Sequence, residues 1–93
     1  MTYLRVRWIH KFPDEPVMLY SELDEARLEV RSVELFRNGE SGHADRTGSK
    51  GKTVLSEKPI PSLSEIAADP QFEPVEITKA EFEVLWERSQ ETV

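Results

Sequence analysis

The sequence lacks cysteine and has no long apolar run. Without cysteine the chain cannot form a disulfide or a cysteine-bound zinc site, which excludes secreted disulfide scaffolds and zinc fingers. No apolar run is longer than four residues, so no membrane-spanning helix is expected. The first ten residues, MTYLRVRWIH, alternate in polarity instead of forming the apolar centre of an export signal, and we expect the protein to be cytoplasmic.

Positive charge is also scarce. The 93 residues include 12 Lys and Arg against 18 Asp and Glu, which gives a formal net charge of −6. Nucleic acids and anionic membranes attract cationic surfaces, so neither is an expected partner. Residues 1–58 hold ten basic and ten acidic side chains, whereas residues 59–93 hold two and eight. A chain of this length is expected to form a single domain over residues 1–93, β-rich in its first part and helical in its second.

Alternating polarity predicts two strands near the N-terminus. Within residues 3–10, Leu4, Val6 and Trp8 lie on the face opposite to the intervening arginines. Residues 17–23 alternate in the same way after the turn-forming segment KFPDEP. The connection is too short for a parallel crossover, so the two strands are expected to be antiparallel.

Residues 24–37 allow two interpretations. Leu28 and Val30 alternate correctly, but Val33 and Leu35 are out of phase with them, so a strand here needs one extra residue. A β-bulge near residues 31–32 would supply it. The alternative is a helix that begins at position 25, in which apolar residues recur at helical spacing.

The pair Asn38-Gly39 favours the strand over the helix, because this dipeptide is typical of a tight hairpin turn. The returning strand is expected over residues 40–44. The segment DRTGSKGK at residues 45–52 has no apolar residue and two glycines, which predicts a mobile loop. Residues 53–55 could then add a short edge strand.

Two helices are predicted in the C-terminal third. Residues 62–65 (SLSE) and 78–81 (TKAE) are both capping boxes, in which a hydroxyl and a glutamate three residues later satisfy the first amides of a helix. The first helix is expected to end before Asp69-Pro70. The second can extend to about Gln90 and has an apolar stripe that faces the core.

These elements predict an α+β fold. We expect a twisted antiparallel sheet of four to five strands, with one short and one longer C-terminal helix packed on one face. The predicted core consists of apolar residues from both parts of the chain: Leu4, Val6, Trp8, Val17, Leu19, Val33, Leu35, Ile66, Phe82, Leu85 and Trp86.

Few residues point to catalysis. His10 and His43 each lie at a predicted strand end, and either could pair with Glu29 or Glu34 as the acid and base of a metal-independent phosphodiesterase. No spacing connects these residues, so an enzyme is not the expected function. The acidic pairs DE at 14–15 and 24–25 lack the pattern of a calcium loop, and no phosphate loop or nucleophile motif is present. No metal or cofactor is therefore expected.

The charged face of the predicted sheet is a candidate for protein binding. Arginine forks and tyrosine rings are common anchors in protein interfaces. The residues concerned are Arg5, Arg7, Arg27, Arg31, Tyr3 and Tyr20. The simpler interpretation is a solvated face with cross-strand ion pairs to Glu22, Glu29 and Glu34.

Three stretches carry a resemblance that covers nearly the whole chain: TYLRVRWIHKFPDEPVMLYSELD, EVRSVELFRNG and PIPSLSEIAADPQFEPVEITKAEFEVLWE. They resemble a family of short bacterial proteins, mainly actinobacterial, that is described as a domain of unknown function. The family brings no catalytic residue to this chain. Small acidic proteins of this kind often serve as immunity partners of bacterial toxins, which is an analogy of size, charge and fold class.

Three functions are therefore expected, in descending order. The first is a non-catalytic protein-binding domain, such as an immunity-like inhibitor of a basic toxin or nuclease, with Glu83 and Glu87 on the acidic helix meeting the partner first. The second is a structural or regulatory homo-oligomer, such as a homodimer, that uses the exposed strip of Ala80 and Val84 or a strand edge. The third is the small phosphodiesterase described above.

Overall fold

The structure, a computed structural model, describes residues 1–91 and consists of one six-stranded antiparallel sheet and two helices. The strands are β1 Thr2–Trp8, β2 Pro16–Leu23, β3 Glu29–Phe36, β4 Ser41–Asp45, β5 Gly48–Lys50 and β6 Phe72–Ile77. The helices are α1 Leu63–Ala67 and α2 Lys79–Gln90. The strand order is β5-β4-β3-β2-β1-β6. The predicted α+β class is confirmed, with six strands where four to five were expected.

Strand β3 confirms the strand interpretation of the ambiguous segment. It pairs with β2 in a register that shifts between Glu22 and Leu23, which lie opposite Arg31 and Glu29. Val30 is therefore the extra residue, and the bulge lies just before the predicted position. One inserted residue turns all later side chains of the strand to the opposite side of the sheet. The bulge therefore explains why the apolar residues before and after it are out of step in the sequence.

The hairpin between β3 and β4 forms at Asn38-Gly39, as predicted. Gly39 has a φ of 90°, a backbone conformation that glycine adopts without strain, and its amide donates to the Phe36 carbonyl. A second tight turn follows, in which the Asp45 carboxylate accepts from the amides of Thr47 and Gly48. This turn leads into β5, so part of the segment predicted as a loop is an edge strand.

Both predicted helix starts are present. Thr78 forms a complete capping box with Glu81, and Ser62 accepts from the Glu65 amide. Strand β6 between the helices was not expected. Among residues 1–91 it pairs only with β1, so it is an outer strand. Pro74 is tolerated there because no amide is needed on the open side. The edge strand expected at residues 53–55 is absent from the part of the chain that the structure describes.

Helix α2 covers one side of the sheet, which we call the helix face and define by Tyr3, Tyr20 and Val33. These side chains form the main buried cluster together with Ile77 and with Phe82 of α2. Met18, Leu35, Leu85 and Trp86 pack against this cluster. The predicted inward stripe of α2 is thus confirmed. The core differs from the prediction, because it contains both tyrosines and because Val6, Trp8, Val17, Leu19 and Ile66 are only half-buried.

The opposite side of the sheet, defined by Leu4, Leu19 and Ser32, is called the cleft face. Helix α1 lies over this side, since its Ile66 lines a cleft together with Val6 and Leu19. The expectation that both helices pack on one face is therefore corrected. Leu4 and Leu23 are fully covered, but Val6, Leu19 and Ile66 are only half-buried. Neither of the two helices within residues 1–91 is long and apolar enough to cross a membrane.

Candidate functional site

A cleft of about 520 Å³ lies between the cleft face and the segment that runs from β5 to β6. Its floor is formed by β1, β2 and β3, and its rim by residues 54–61 and α1. The lining side chains are mostly apolar or acidic: Val6, Leu19, Ser21, Glu29, Ser32, Glu34, Val54, Leu55, Ser56, Ile60, Pro61, Glu65, Ile66, Asp69 and Phe72. A concave, largely apolar site with a few polar groups is the usual form of a binding site in a small domain.

Hydrogen bonds from the sheet hold the rim in place. The Thr53 hydroxyl donates to Glu34 Oε1 at 2.6 Å, and the Ser56 amide donates to Glu29 Oε1 at 2.8 Å. Arg27 binds the other end of the segment, because its side chain donates to the carbonyls of Ile60 and Pro61. The rim is therefore fixed at both ends by hydrogen bonds.

Arg27 reaches this position through an unusual backbone. It has a φ of 63°, in the left-handed region that non-glycine residues rarely adopt. Its carbonyl accepts from the Ile60 amide at 2.8 Å, so backbone and side chain both bind the same segment. These three hydrogen bonds compensate for the cost of the left-handed conformation.

Four carboxylates line the cleft: Glu29, Glu34, Glu65 and Asp69. Glu29 reaches it because of the bulge in β3, and its Oε2 accepts from the Ser21 hydroxyl at 2.6 Å. None of the fifteen lining residues is Lys or Arg. Hydrogen bonds from hydroxyl and amide donors fix the orientation of the Glu29 and Glu34 side chains. The cleft is thus suited to a ligand group that is cationic at one end and apolar along its length.

The helix face carries a second polar group, built around Arg31. Its guanidinium donates to both oxygens of Glu22, at 2.7 and 3.0 Å, and also to Glu83 of α2. It lies 4.9 Å from the centroid of the Phe82 ring and 5.0 Å from that of Trp86. This contact of a planar cation with two aromatic rings adds to the ion pairs.

The charges around Arg31 shift one another's ionisation. Hydrogen bonds from the guanidinium lower the pKa of Glu22 and of Glu83. The same bonds raise the pKa of Arg31. Burial, and then the hydrogen bond that its hydroxyl donates to Glu22, raise the pKa of Tyr3. The group is fully paired, which indicates that it fastens α2 to the sheet.

The residues predicted to form a charged binding face differ in how far they are buried in the structure. Tyr3 and Tyr20 are each 7% exposed, so their rings belong to the core, and this corrects their prediction as surface anchors. Arg5 is half-buried on the helix face, and Arg7 is exposed and lies 3.6 Å from Glu73. Alternation correctly placed Tyr3, Arg5 and Arg7 on one face of β1 but gave no information about which face α2 covers.

The remaining predicted binding residues have different surroundings. Arg27 and Arg31 are occupied by the rim segment and by the two glutamates, respectively. Glu83 is paired with Arg31, whereas Glu87, one turn further along α2, is exposed. Of the two helix acids, Glu87 therefore has the more open carboxylate.

The histidines do not join the carboxylates of the cleft. His43 lies on the helix face, edge-on to the Trp86 ring with centroids 5.4 Å apart, whereas Glu34 is on the cleft face. His10 Nε2 is 2.8 Å from the Pro16 carbonyl, and its Nδ1 accepts from the Phe12 amide. No histidine and glutamate among those proposed for phosphodiester chemistry are brought together. Within residues 1–91 there is also no group of three or more acidic or histidine side chains placed to hold a metal ion.

The cleft was not predicted from the sequence. Glu29 and Glu34 were singled out only as partners for histidine or for arginine in cross-strand ion pairs, and Glu65 only as a helix cap. The available signal was the phase slip in β3, since a bulge turns Glu29 toward the same side as Glu34. The approach of Thr53 to the sheet has no such signal, because it depends on contacts across 19 residues of chain.

The architecture defines the class of protein: a small α+β domain whose sheet is covered on one side by a helix and carries an acidic, apolar cleft on the other. A family model for a domain of unknown function, DUF6881, matches residues 2–91. The chain therefore belongs to this family, in agreement with the resemblance seen in its sequence. No curated protein and no solved structure matched the chain significantly.

Proposed function

We propose that this domain binds a protein partner and receives a basic side chain of that partner in the cleft. One observation carries the proposal: four carboxylates and no Lys or Arg line a cleft whose walls are otherwise mainly apolar. A lysine or arginine side chain has the matching form, because its methylene stem packs on apolar surface while its charged head binds carboxylates.

The charge on the rest of the protein surface also favours a basic partner. The net charge of −6 attracts a cationic protein and speeds its approach. The exposed carboxylate of Glu87 adds to this field from the helix face. A domain that occupies the basic surface of a toxin or nuclease would inhibit it, and we propose this immunity-like role as the specific form of the function.

Selection of random twelve-residue peptides on the immobilised protein tests the proposal. Enriched peptides should contain Arg or Lys beside apolar residues. The double variant Glu34→Gln/Asp69→Asn should weaken their binding by at least about tenfold, since hydrogen bonds to charged groups contribute about 1.5–3 kcal/mol. Both substitutions keep an oxygen that can accept the present bonds from Thr53 and from the Gln71 amide.

The matched control is Glu25→Gln/Glu40→Gln, which changes the net charge equally at two exposed positions outside the cleft. It should alter affinity by less than about twofold at physiological salt, where distant surface charges are screened. Enrichment of peptides without basic residues, failure to enrich any peptide, or equal effects of the two double variants would overturn the proposal.

A homodimer is the second candidate, and two observations favour it. Strand β6 is an outer strand with Val75 44% exposed, and Val84 on α2 is 48% exposed. Pro74 removes one amide from this strand, which weakens pairing along its edge. Light scattering at millimolar concentration should give twice the mass of 10.7 kDa if the chain dimerises, and Val84→Glu should then restore the monomer. A monomer mass throughout excludes this candidate.

A further inference from the structure

An aromatic cluster continues the cleft face beyond the cleft. Trp8 lies at the end of β1 opposite Phe72 of β6, and their rings stack with centroids 6.0 Å apart. Phe72 also lines the cleft. One side chain therefore joins the cleft to the aromatic cluster, and the two form one continuous surface.

The cluster extends outward from Trp8 onto the connection between β1 and β2. The centroid of the Trp8 ring is 4.3 Å from that of His10 and 6.5 Å from that of Phe12. Phe12 is 59% exposed. Large exposed aromatic side chains gathered at one place mark interaction surfaces.

A second cavity, of about 320 Å³, opens at this cluster. It is lined by Trp8, Phe12, Pro13, Asp14 and Glu15, so two aromatic and two acidic residues border the same space. None of these five residues is basic. Two cations lie near this connection but do not line the cavity: Arg37, whose side chain donates to the His10 carbonyl, and the exposed Lys11.

The connection that builds this cavity is fixed by His10. One ring nitrogen of His10 lies 2.8 Å from the Pro16 carbonyl, and the other accepts from the Phe12 amide at 2.9 Å. Phe12 and the acidic pair that follows are thereby held beside Trp8. The Trp8 indole Nε1 is buried and has no hydrogen-bond acceptor among residues 1–91.

We infer that this cavity is a second subsite, which binds a second cationic side chain of the same basic partner. The inference rests on the proposed function and extends it, because it makes the recognised segment one with two basic residues. A guanidinium or ammonium group is attracted to the faces of Trp and Phe rings, and nearby carboxylates strengthen the attraction. In the cleft the apolar lining is aliphatic except for Phe72 and the acidic side chains provide the recognition, whereas here the rings contribute directly.

Nuclear magnetic resonance of the ¹⁵N-labelled protein tests the second subsite without knowledge of the partner. The probe is N-acetyl-arginine amide, and its control is N-acetyl-citrulline amide, which has nearly the same shape without the charge. The indole resonance of Trp8 reports on this subsite, and the Ser56 amide reports on the cleft. Comparison with Trp86→Phe identifies the two indole signals, because the sequence contains two tryptophans.

The arginine probe should shift the Trp8 indole resonance in a saturable way, and the citrulline probe should not. Phe12→Ala, at a largely exposed position, and Asp14→Asn/Glu15→Gln should each weaken this response at least threefold while leaving the response of Ser56 unchanged. Glu34→Gln/Asp69→Asn should weaken the response of Ser56 at least threefold and leave the response of the Trp8 indole unchanged. These results would establish two separate subsites.

The outcomes separate the inference from the function on which it rests. A response of Ser56 without one of Trp8 overturns the second subsite and leaves the cleft as the binding site. A response of Trp8 that is equal for citrulline also overturns it, because charge is then not recognised. Absence of both responses overturns the second subsite and the cleft together.

Discussion

Arg31 and Glu22 form a two-point ion pair beneath helix α2, with the guanidinium donating to both carboxylate oxygens at 2.7 and 3.0 Å. Their side chains are only 18% and 8% exposed. The pair joins β3 to β2, and Glu83 extends it to α2. Such bidentate pairs fix relative position as well as charge, so this one sets how α2 lies on the sheet.

Glu22→Gln should destabilise the protein by about 2 kcal/mol. The amide cannot accept both hydrogen bonds, and Arg31 keeps only Glu83 as an ionised partner; the loss stays below the 3–5 kcal/mol of a fully buried pair for that reason. Arg7→Gln is the control, because the Arg7–Glu73 pair is more than half exposed and should contribute less than about 0.5 kcal/mol. Urea unfolding followed by circular dichroism measures both. Equal losses in the two variants would contradict the assigned role of Arg31.

Acid should selectively remove the stabilisation provided by this group. Arg31 lowers the pKa of Glu22 and Glu83 in the folded protein, whereas in the unfolded chain each carboxyl returns to its ordinary value of 4.5. The unfolded state therefore binds protons first as the pH falls. The contribution to stability is complete above pH 4.5 and is lost as the pH falls further, through the lowered pKa values of the folded state.

Urea midpoints measured from pH 7 to pH 2 test this dependence. The difference in urea midpoint between the wild type and Glu22→Gln should be constant above pH 5. It should become smaller below pH 4.5, because only the wild type can lose the Glu22 charge. Arg7→Gln should follow the wild-type curve throughout. A difference that does not change with pH would show that the Glu22 carboxyl is not linked to folding.

The contribution of helix α2 to stability should come from only one of its faces. Phe82 is fully buried between the sheet and the helix, so Phe82→Ala should cost about 4 kcal/mol through lost burial and the cavity that remains. Val84 lies two residues away and is 48% exposed, so Val84→Ala should change stability by less than about 0.5 kcal/mol. Thermal unfolding measures the loss of stability in each variant, and the two losses should differ clearly. A large loss for Val84→Ala at high protein concentration, relieved on dilution, would instead indicate a homodimer.

Local signals in the sequence account for much of this fold. The capping box at Thr78 and Glu81, the turn at Asn38-Gly39 and the alternation in β1 each act through neighbouring residues, and all are found in the structure. Strand β6 escaped prediction because Pro74 and its acidic neighbours argue against a strand, and pairing with β1 outweighs this local preference.

The site was harder to predict, because it depends on contacts distant in sequence. Alternation tells which residues share a face but not what covers that face, so Tyr3 and Tyr20 were expected at the surface although α2 buries them. Likewise, nothing local shows that Thr53 will reach Glu34 and carry the rim across the sheet. The acidic character of the cleft appears only after these long-range contacts are known.

Gly42 should be essential for the approach of the rim to the sheet. It lies on the cleft face of β4 opposite Glu34, and a Cβ built on it would overlap the Thr53 hydroxyl and come within 3.1 Å of the Lys50 carbonyl oxygen. Gly42→Ala should therefore destabilise the protein by about 2 kcal/mol, the usual cost of overpacking a filled site. It should also weaken binding at the cleft, since Thr53 and the residues after it are displaced from Glu34.

Gly48→Ala provides the control in the same hairpin, because a Cβ there meets nothing within 4 Å. It should change stability by less than about 0.5 kcal/mol. In a Thr53→Ala background the cost of Gly42→Ala should fall by about 1 kcal/mol, since the overlapping hydroxyl is gone; this coupling is the signature of direct contact. Chemical unfolding of the wild type, Gly42→Ala, Thr53→Ala and the double variant completes this double-mutant cycle. Strictly additive losses would mean that Gly42 is required for some reason other than the passage of Thr53 across β4.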